Sequence, residues 1–298
     1  MRTSAAITEP PAVSPADAGV GADTVPPARG PLIPAGPRFA VLGPLEIYEG
    51  QRVRTPRAHK PRVLLAILLA RRDTVVSTDA LIAELWGDRP PRTALKALRV
   101  YMTQLRQVLA GLGAAPGARP AIVTRSPGYR LEIGGADLDL SRFRRLCDLG
   151  WAARDAGELA DALRHYRSAT ALWRGPALAD VRSSPLLEGV AARLDESRVT
   201  ALERRLELET RLGGNADVVS DLRALAADHP LRERIHYQLM VALSEAGRRG
   251  DALQVFRELR RDFVTELGVE PGPDLQSLHQ AILAADGRDL PQWGAWDR

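Results

Sequence analysis

A leucine-rich stripe between residues 92 and 111, followed by a glycine-turned strand pair, constrains this chain more than any other feature. In RTALKALRVYMTQLRQVLAG, Leu95, Leu98, Met102, Leu105 and Leu109 recur at spacings of 3, 4, 3 and 4. That spacing predicts a helix with one apolar stripe turned to a core. Its other side carries Thr93, Lys96, Val100, Thr103, Gln104 and Gln107, with Arg92, Arg99 and Arg106 along the flank. Downstream, AIVTRSPGYRLEI reads as two strands, Ile122–Thr124 and Tyr129–Ile133, joined across Arg125-Ser126-Pro127-Gly128. A helix bearing polar side chains flanked by guanidiniums suits the major groove of a duplex, which admits one α-helix. Arg125 at the hairpin tip stands where a second element reaches the adjacent minor groove.

The neighbouring sequence frames that helix. Residues 38–54 alternate apolar and polar in short pieces with turns at Gly43-Pro44 and Glu49-Gly50, predicting a small antiparallel sheet. Pro61 suits the first turn of a helix running to Arg72, apolar on most faces through Val63, Leu64, Leu65, Ile67, Leu68 and Leu69. Ser77-Thr78-Asp79 offers an N-cap and a first-turn acid for a helix over Asp79–Trp86, ended by Gly87 and Pro90-Pro91. Sheet, three helices and hairpin together predict an α+β winged helix-turn-helix domain over residues 38–135.

From Asp137 onward strand signals vanish and helical patterning repeats. Gly157, Ala162 and Tyr166 are spaced by five and four, as are Gly213, Val218 and Leu222, and Gly247, Ala252 and Phe256. Leu146, Leu149 and Gly150 stand where such a repeat places large, large and small residues, and Pro230 at the exit of a second helix. This predicts an all-α, tetratricopeptide-like domain of degenerate helical hairpins over 136–286, the alternative being an ordinary α-bundle. Either offers a binding surface rather than a chemical pocket. Residues 1–37, rich in Ala, Pro and Gly, read as a disordered leader, and 287–298 as a tail.

Charge separates the two halves. Residues 38–135 hold 16 Lys+Arg against 7 Asp+Glu, and residues 136–286 hold 21 against 25. A basic domain joined to a mildly acidic one places the polyanion on the first. No phosphate-binding glycine loop, dinucleotide fingerprint, nucleophile elbow, zinc-protease motif or CxxC occurs, so no catalytic residue, metal site or cofactor is expected. The histidines, His59, His165, His229, His236 and His279, are scattered; His229 and His236 are seven apart, a conceivable metal pair outweighed by surface or packing roles. The single cysteine, Cys147, excludes an intramolecular disulfide framework, reads as a small core residue, and fits a reducing cytoplasm. No apolar run spans a bilayer, so no membrane partner is expected.

Several segments carry a family resemblance: LGPLEI, the Pro61-Arg62 helix, LIAELWGDRPP, ALRVYMTQLRQVL and SPGYRL, in the order of an OmpR-type winged helix. LDLSRFRRLCDLG, GELADALRHYRSATALWRGPALADV, HPLRERIHYQLMVALSEAGRRGDALQVFRELR and TELGVEPGPDLQSLHQAIL follow, resembling a bacterial transcriptional activation domain. The pair, covering about residues 38–286, resembles the SARP family, the Streptomyces antibiotic regulatory proteins. The resemblance implies a pathway-specific activator of a secondary-metabolite cluster. Such a protein binds direct repeats of promoter DNA beside the −35 element, self-associates there and recruits RNA polymerase holoenzyme with its sigma factor. It implies a cytoplasmic, nucleoid-associated protein, and a small member of the family with neither nucleotide switch nor phospho-acceptor receiver domain. Recognition-helix positions fall on Lys96, Ala97, Val100, Tyr101, Thr103, Gln104 and Arg106, and the minor-groove wing arginine on Arg125.

Base reading is therefore expected from Lys96, Val100, Tyr101, Thr103 and Gln104. Phosphate contacts are expected from Arg57, Lys60, Arg92, Arg99 and Arg106, and minor-groove contact from Arg125. The competing reading is a helical scaffold or adaptor whose basic domain binds nucleic acid non-specifically. RNA is disfavoured, because no pair of sheet aromatics is evident for base stacking.

Overall fold

The computed structural model describes residues 36–113, 119–213 and 216–284. The expected leader, except its last two residues, and the expected tail lie outside the described residues. The first part of the chain runs β1 (Arg38–Ala40), β2 (Glu46–Glu49), β3 (Arg52–Val53), α1 (His59–Ala70), β4 (Val76–Ser77), α2 (Thr78–Trp86), α3 (Ala94–Ala110), β5 (Ala121–Arg125) and β6 (Gly128–Glu132). There follow β7 (Asp137–Leu138), α4 (Asp139–Asp155), α5 (Leu159–Thr170), α6 (Pro185–Arg211), α7 (Ala216–Asp228), α8 (Glu233–Glu245), α9 (Arg249–Leu267) and α10 (Pro273–Ala284). This is a winged helix-turn-helix region followed by a helical domain.

The local chemistry explains the elements. The α1 residues Val63 to Leu69 are all buried, so this helix is the centre about which α2 and α3 pack. Ser77 caps α2, its Oγ accepting from the Ala80 N–H at 3.1 Å, and Asp79 lies in the first turn, where the helix dipole favours a negative charge. Gly87 ends α2 at φ 58, left-handed backbone that glycine adopts without strain.

On α3 the buried residues are Ala94, Leu98, Met102, Leu105 and Leu109. Leu95, expected in this stripe, is 43% exposed. The buried line passes through Ala94 instead, and Leu95 stands about 100° further round the helix.

Sheet topology holds a second correction. The first sheet has the order β3-β2-β1-β7, and β7 runs parallel to β1 with Phe39 opposite Leu138. A two-residue strand shows no alternation of its own, so it escapes a pattern search. The second sheet has the order β4-β6-β5. Its closeness demands a glycine: a Cβ on Gly128 would stand 1.9 Å from the Val76 carbonyl oxygen.

The two parts share one apolar core. It runs from Phe39, Ile47, Leu64, Leu98 and Leu131 into Phe143, Tyr166, Trp173, Leu187 and Leu208. Polar contacts reinforce it where the β1–β2 turn meets the helical domain. The buried Asp139 carboxyl accepts from the Val41 N–H at 2.9 Å and the Leu42 N–H at 3.0 Å. Leu45 N–H donates to Asp180 Oδ1 at 2.6 Å, and Arg62 pairs with the same carboxylate. Arg174 N–H donates to the Leu42 carbonyl at 2.9 Å, and its guanidinium pairs with Glu46.

A second core gathers Leu222, Ile235, Met240, Phe256, Phe263 and Leu278 from α7–α10. The 27-residue helix α6 contributes to both. The hairpin repeat is visible in its turns. Gly157, Gly213 and Gly247 follow α4, α6 and α8 at φ +81, +85 and +72, the left-handed C-terminal conformation. Ala162, Tyr166, Val218, Leu222, Ala252 and Phe256 are all buried in the second helices. Tyr166 lies so near Gly150 that a Cβ there would stand 2.9 Å from the ring, a large residue seated on a small one.

Candidate nucleic-acid interface

Helical geometry, about 100° per residue, puts Lys96, Val100, Thr103 and Gln107 in the middle of the α3 side opposite its buried line. All four are exposed. Gln104 is exposed beside them, toward α2, and Arg92 and Arg99 are exposed on the flank toward the wing. Gln107, on this side already in the sequence pattern but outside the expected base-reading set, lies at its centre. Val100 at 48% exposure leaves an apolar surface among polar neighbours. The Thr103 hydroxyl donates to the Arg99 carbonyl at 3.0 Å, so its oxygen lone pairs are what it offers outward.

The strands β5 and β6 form the wing, with Arg125 opposite Gly128 at its tip. Two anchors hold it. At the tip, the Thr78 N–H and hydroxyl both donate to the Pro127 carbonyl, at 3.1 and 3.2 Å. At the base, Arg106 donates from Nε to the Ile122 carbonyl at 2.9 Å and from Nη2 to Thr124 Oγ1 at 2.7 Å, its guanidinium 5.7 Å from the Tyr129 ring centre. The tip residues Arg125, Ser126 and Pro127 are exposed.

Three of the expected contact residues have local duties. Arg106 ties α3 to the wing, as above. Lys60 donates to the Leu85 carbonyl at 3.1 Å and lies 4.4 Å over the Trp86 ring, closing the end of α2. Tyr101 is half-buried and stacks on Trp86 with ring centres 6.5 Å apart. By contrast Arg57, Arg92, Lys96, Arg99 and Arg125 are exposed, and their side chains meet no hydrogen-bond or ion-pair partner among the described residues. The same holds for Arg89, in the turn just before α3, a segment whose sequence signal is the helix-ending Pro90-Pro91. The far end of α3 is also tethered: Glu49 Oε1 accepts from the Gly113 N–H at 2.7 Å, and that bond, with Arg54 beside it, holds the Glu49 carboxyl below the usual carboxylate range.

Elsewhere the chemistry is sparse. Among the described residues no group of His, Cys, Asp and Glu could hold a metal ion, and no helix is long and apolar enough to cross a membrane. Burial pushes the Cys147 thiol up to about 11, with Asp148 adding to the effect.

Two family models match the chain, one for each of its two parts. Residues 54–131 match the family described as "Transcriptional regulatory protein, C terminal", and residues 138–283 match the "Bacterial transcriptional activator domain". The chain is 41% identical over 249 residues to the regulatory protein DnrI of Streptomyces peucetius, covering 83% of this chain and 92% of DnrI. It is 38% identical to the regulatory protein AfsR of Streptomyces griseus, covering 88% of this chain but only 26% of AfsR. Among solved structures it resembles Mycobacterium tuberculosis EmbR in complex with low affinity phosphopeptide, with a TM-score of 0.77 and 35% identity over 83% of this chain and 65% of that one. With both domains matched in order and nearly all of DnrI spanned, the chain belongs to the Streptomyces antibiotic regulatory protein family of transcriptional regulators.

Proposed function

We propose that the chain is a sequence-specific activator that binds double-stranded promoter DNA through α3 and the wing. The observation that carries this reading is one exposed surface: Lys96, Val100, Thr103 and Gln107 at its centre, Arg92 and Arg99 beside them, and Arg125 held out on an anchored hairpin. In the major groove, Thr103, Gln104 and Gln107 bond base edges, Lys96 reaches guanine acceptors and Val100 packs on a thymine methyl. Arg57, Arg89, Arg92 and Arg99 neutralise phosphates, and Arg125 enters the minor groove. Lys60, Tyr101 and Arg106 act by positioning α3 and the wing rather than by touching DNA.

The family membership extends the reading. The chain controls a secondary-metabolite cluster, binds direct repeats near the −35 element, self-associates on them and engages RNA polymerase holoenzyme with its sigma factor. Copies on direct repeats point the same way, so their mutual contacts need not be two-fold.

Binding of the full chain to a randomised duplex library at several salt concentrations tests the core of this proposal. Roughly four neutralised phosphates give a log–log salt slope of about −3.6, together with enrichment of one tandem motif. A slope near zero, or equal affinity for every duplex, would remove it.

A further inference from the structure

The outer side of α4 is exposed, and its pattern is that of a helix that pairs. Phe143 and Gly150 are buried on the inner side, with Cys147 packed against the first core. Opposite them Arg145, Asp148, Ala152 and Asp155 recur at spacings of 3, 4 and 3, all exposed. Arg144 and Trp151 flank that stripe on one side, Arg142 and Leu149 on the other. Trp151 is 60% exposed and Leu149 40%. Ser141, one turn before the stripe, accepts from Arg72 at 2.7 Å, which closes the face at that end.

Charge along this side is ordered. Arg142, Arg144 and Arg145 stand in the first half of α4, Asp148 and Asp155 in the second, and Glu158 is exposed in the turn beyond. None of these side chains meets a hydrogen-bond or ion-pair partner among the described residues. The order opposes the helix dipole, which favours anions at the start and cations at the end. The stability of α4 alone therefore does not account for it.

An antiparallel copy of the same helix does. Arg145 and Asp155 lie equally far either side of residue 150, as do Asp148 and Ala152. Around a two-fold axis at that point, Arg145 faces Asp155 of the second copy, twice by symmetry, and Ala152 faces Asp148. In such a pair each flank meets its own kind. Trp151 comes beside Trp151 on one side of the axis and Leu149 beside Leu149 on the other. At the ends Arg144 approaches the turn that carries Glu158.

We propose that α4 docks on α4 of a second copy of this chain, antiparallel and two-fold, through reciprocal Arg145–Asp155 pairs about an apolar centre of Trp151, Leu149 and Ala152. One helix pair buries less than the roughly 800 Å² per partner of a standard interface, so the dimer is weak. A two-fold contact cannot join neighbouring copies that point the same way on a direct repeat. This pairing therefore belongs to the protein free of DNA. It shares no residue with α3 or the wing, so it stands or fails separately from DNA recognition.

Sedimentation velocity of the full chain without DNA, over a range of protein concentrations, tests this. The native chain should show a reversible monomer–dimer equilibrium. Arg145→Asp and Asp155→Arg each put two like-charge pairs into the dimer and should weaken it about tenfold or more. The double variant restores both pairs with their signs exchanged, and should dimerise within about threefold of the native chain. Trp151→Ser, which removes exposed apolar surface and no charge, should weaken the dimer as well. Arg193→Asp, the same reversal at an exposed, unpaired arginine of α6, should leave it unchanged. A chain that stays monomeric at every concentration, a dimer indifferent to Trp151→Ser, or an equal loss in Arg193→Asp would each overturn the proposal. A double variant as weak as the single ones would overturn it too, because the two residues would not then face each other.

Discussion

Arg99 and Arg106 sit two turns apart on one flank of α3 and meet different surroundings. Arg99 is exposed without a side-chain partner among the described residues, whereas Arg106 bonds the Ile122 carbonyl and Thr124. Truncation should therefore separate them. Arg99→Ala leaves stability unchanged and makes the salt slope of duplex binding shallower by about 0.9, the loss of one phosphate contact. Arg106→Ala lowers stability by about 1.5–3 kcal/mol, the range for hydrogen bonds to a charged group, and weakens every duplex by loosening the wing. Urea unfolding beside salt-titrated binding checks both; an unchanged urea midpoint in Arg106→Ala would return that residue to the phosphate contacts. Cys147 offers a separate check on the packing of α4. With its thiol pushed up to about 11 from an ordinary 9.0, it holds about 100-fold less thiolate near pH 8 than an unburied thiol. Ellman's reagent should label the native chain correspondingly slowly and the unfolded chain fast. Equal rates would mean that this helix face opens.

At the scale of elements, the wing depends on a glycine that side-chain patterns do not reveal. Gly128 lets β6 lie against β4 where a Cβ would strike the Val76 carbonyl oxygen. Gly128→Ala should cost about 1–3 kcal/mol or more, the range for overpacking against groups that cannot yield. It should also detach the wing, so that duplex binding drops while the helical domain keeps its circular dichroism. Retention of both stability and binding would show that the two strands can separate without consequence. The elements legible in sequence were those with a local signature: the α3 stripe, the Ser77 cap, the hairpin and the hairpin glycines. The others depended on distant partners. The short strand β7 exists because β1 lies beside it, about 100 residues away in the chain. Arg106 reads as a contact residue from its place along the α3 flank, Lys60 from its charge, and Tyr101 from the family resemblance. Their occupation by Leu85, Trp86 and Ile122 is a tertiary fact that no spacing encodes.

For the molecule as a whole, the junction between the two domains decides how far they act independently. The β1–β2 turn has its N–H groups satisfied by Asp139 and Asp180, both beyond the expected boundary at residue 135, and the apolar core crosses the same line. A fragment ending at 135 would leave those donors without their carboxylates and part of the core uncovered. It should unfold at a lower urea midpoint than the full chain while retaining weak, salt-sensitive duplex binding; an equal midpoint would show the junction to be dispensable. Asp139→Asn tests the same junction inside the intact chain. The amide oxygen in the place of Oδ2 still accepts from the Val41 and Leu42 N–H groups, but the NH2 in the place of Oδ1 faces the Val41 N–H, so a buried donor is left without an acceptor at a cost of about 1–3 kcal/mol. Burial raises the Asp139 carboxyl above its ordinary 3.8, against the lowering effect of the two backbone N–H groups and of Arg174. A carboxyl whose folded pKa exceeds its unfolded one contributes most when protonated, and that contribution fades as pH climbs from about 4 through the raised value. Asparagine does not titrate, so the stability gap between native chain and variant should be widest in acid and narrow as pH rises through that window. Urea titrations of both proteins from pH 4 upward measure the gap directly. A gap that widens with pH would mean that the backbone bonds to the ionised carboxylate outweigh its burial, and that the junction is held by charge.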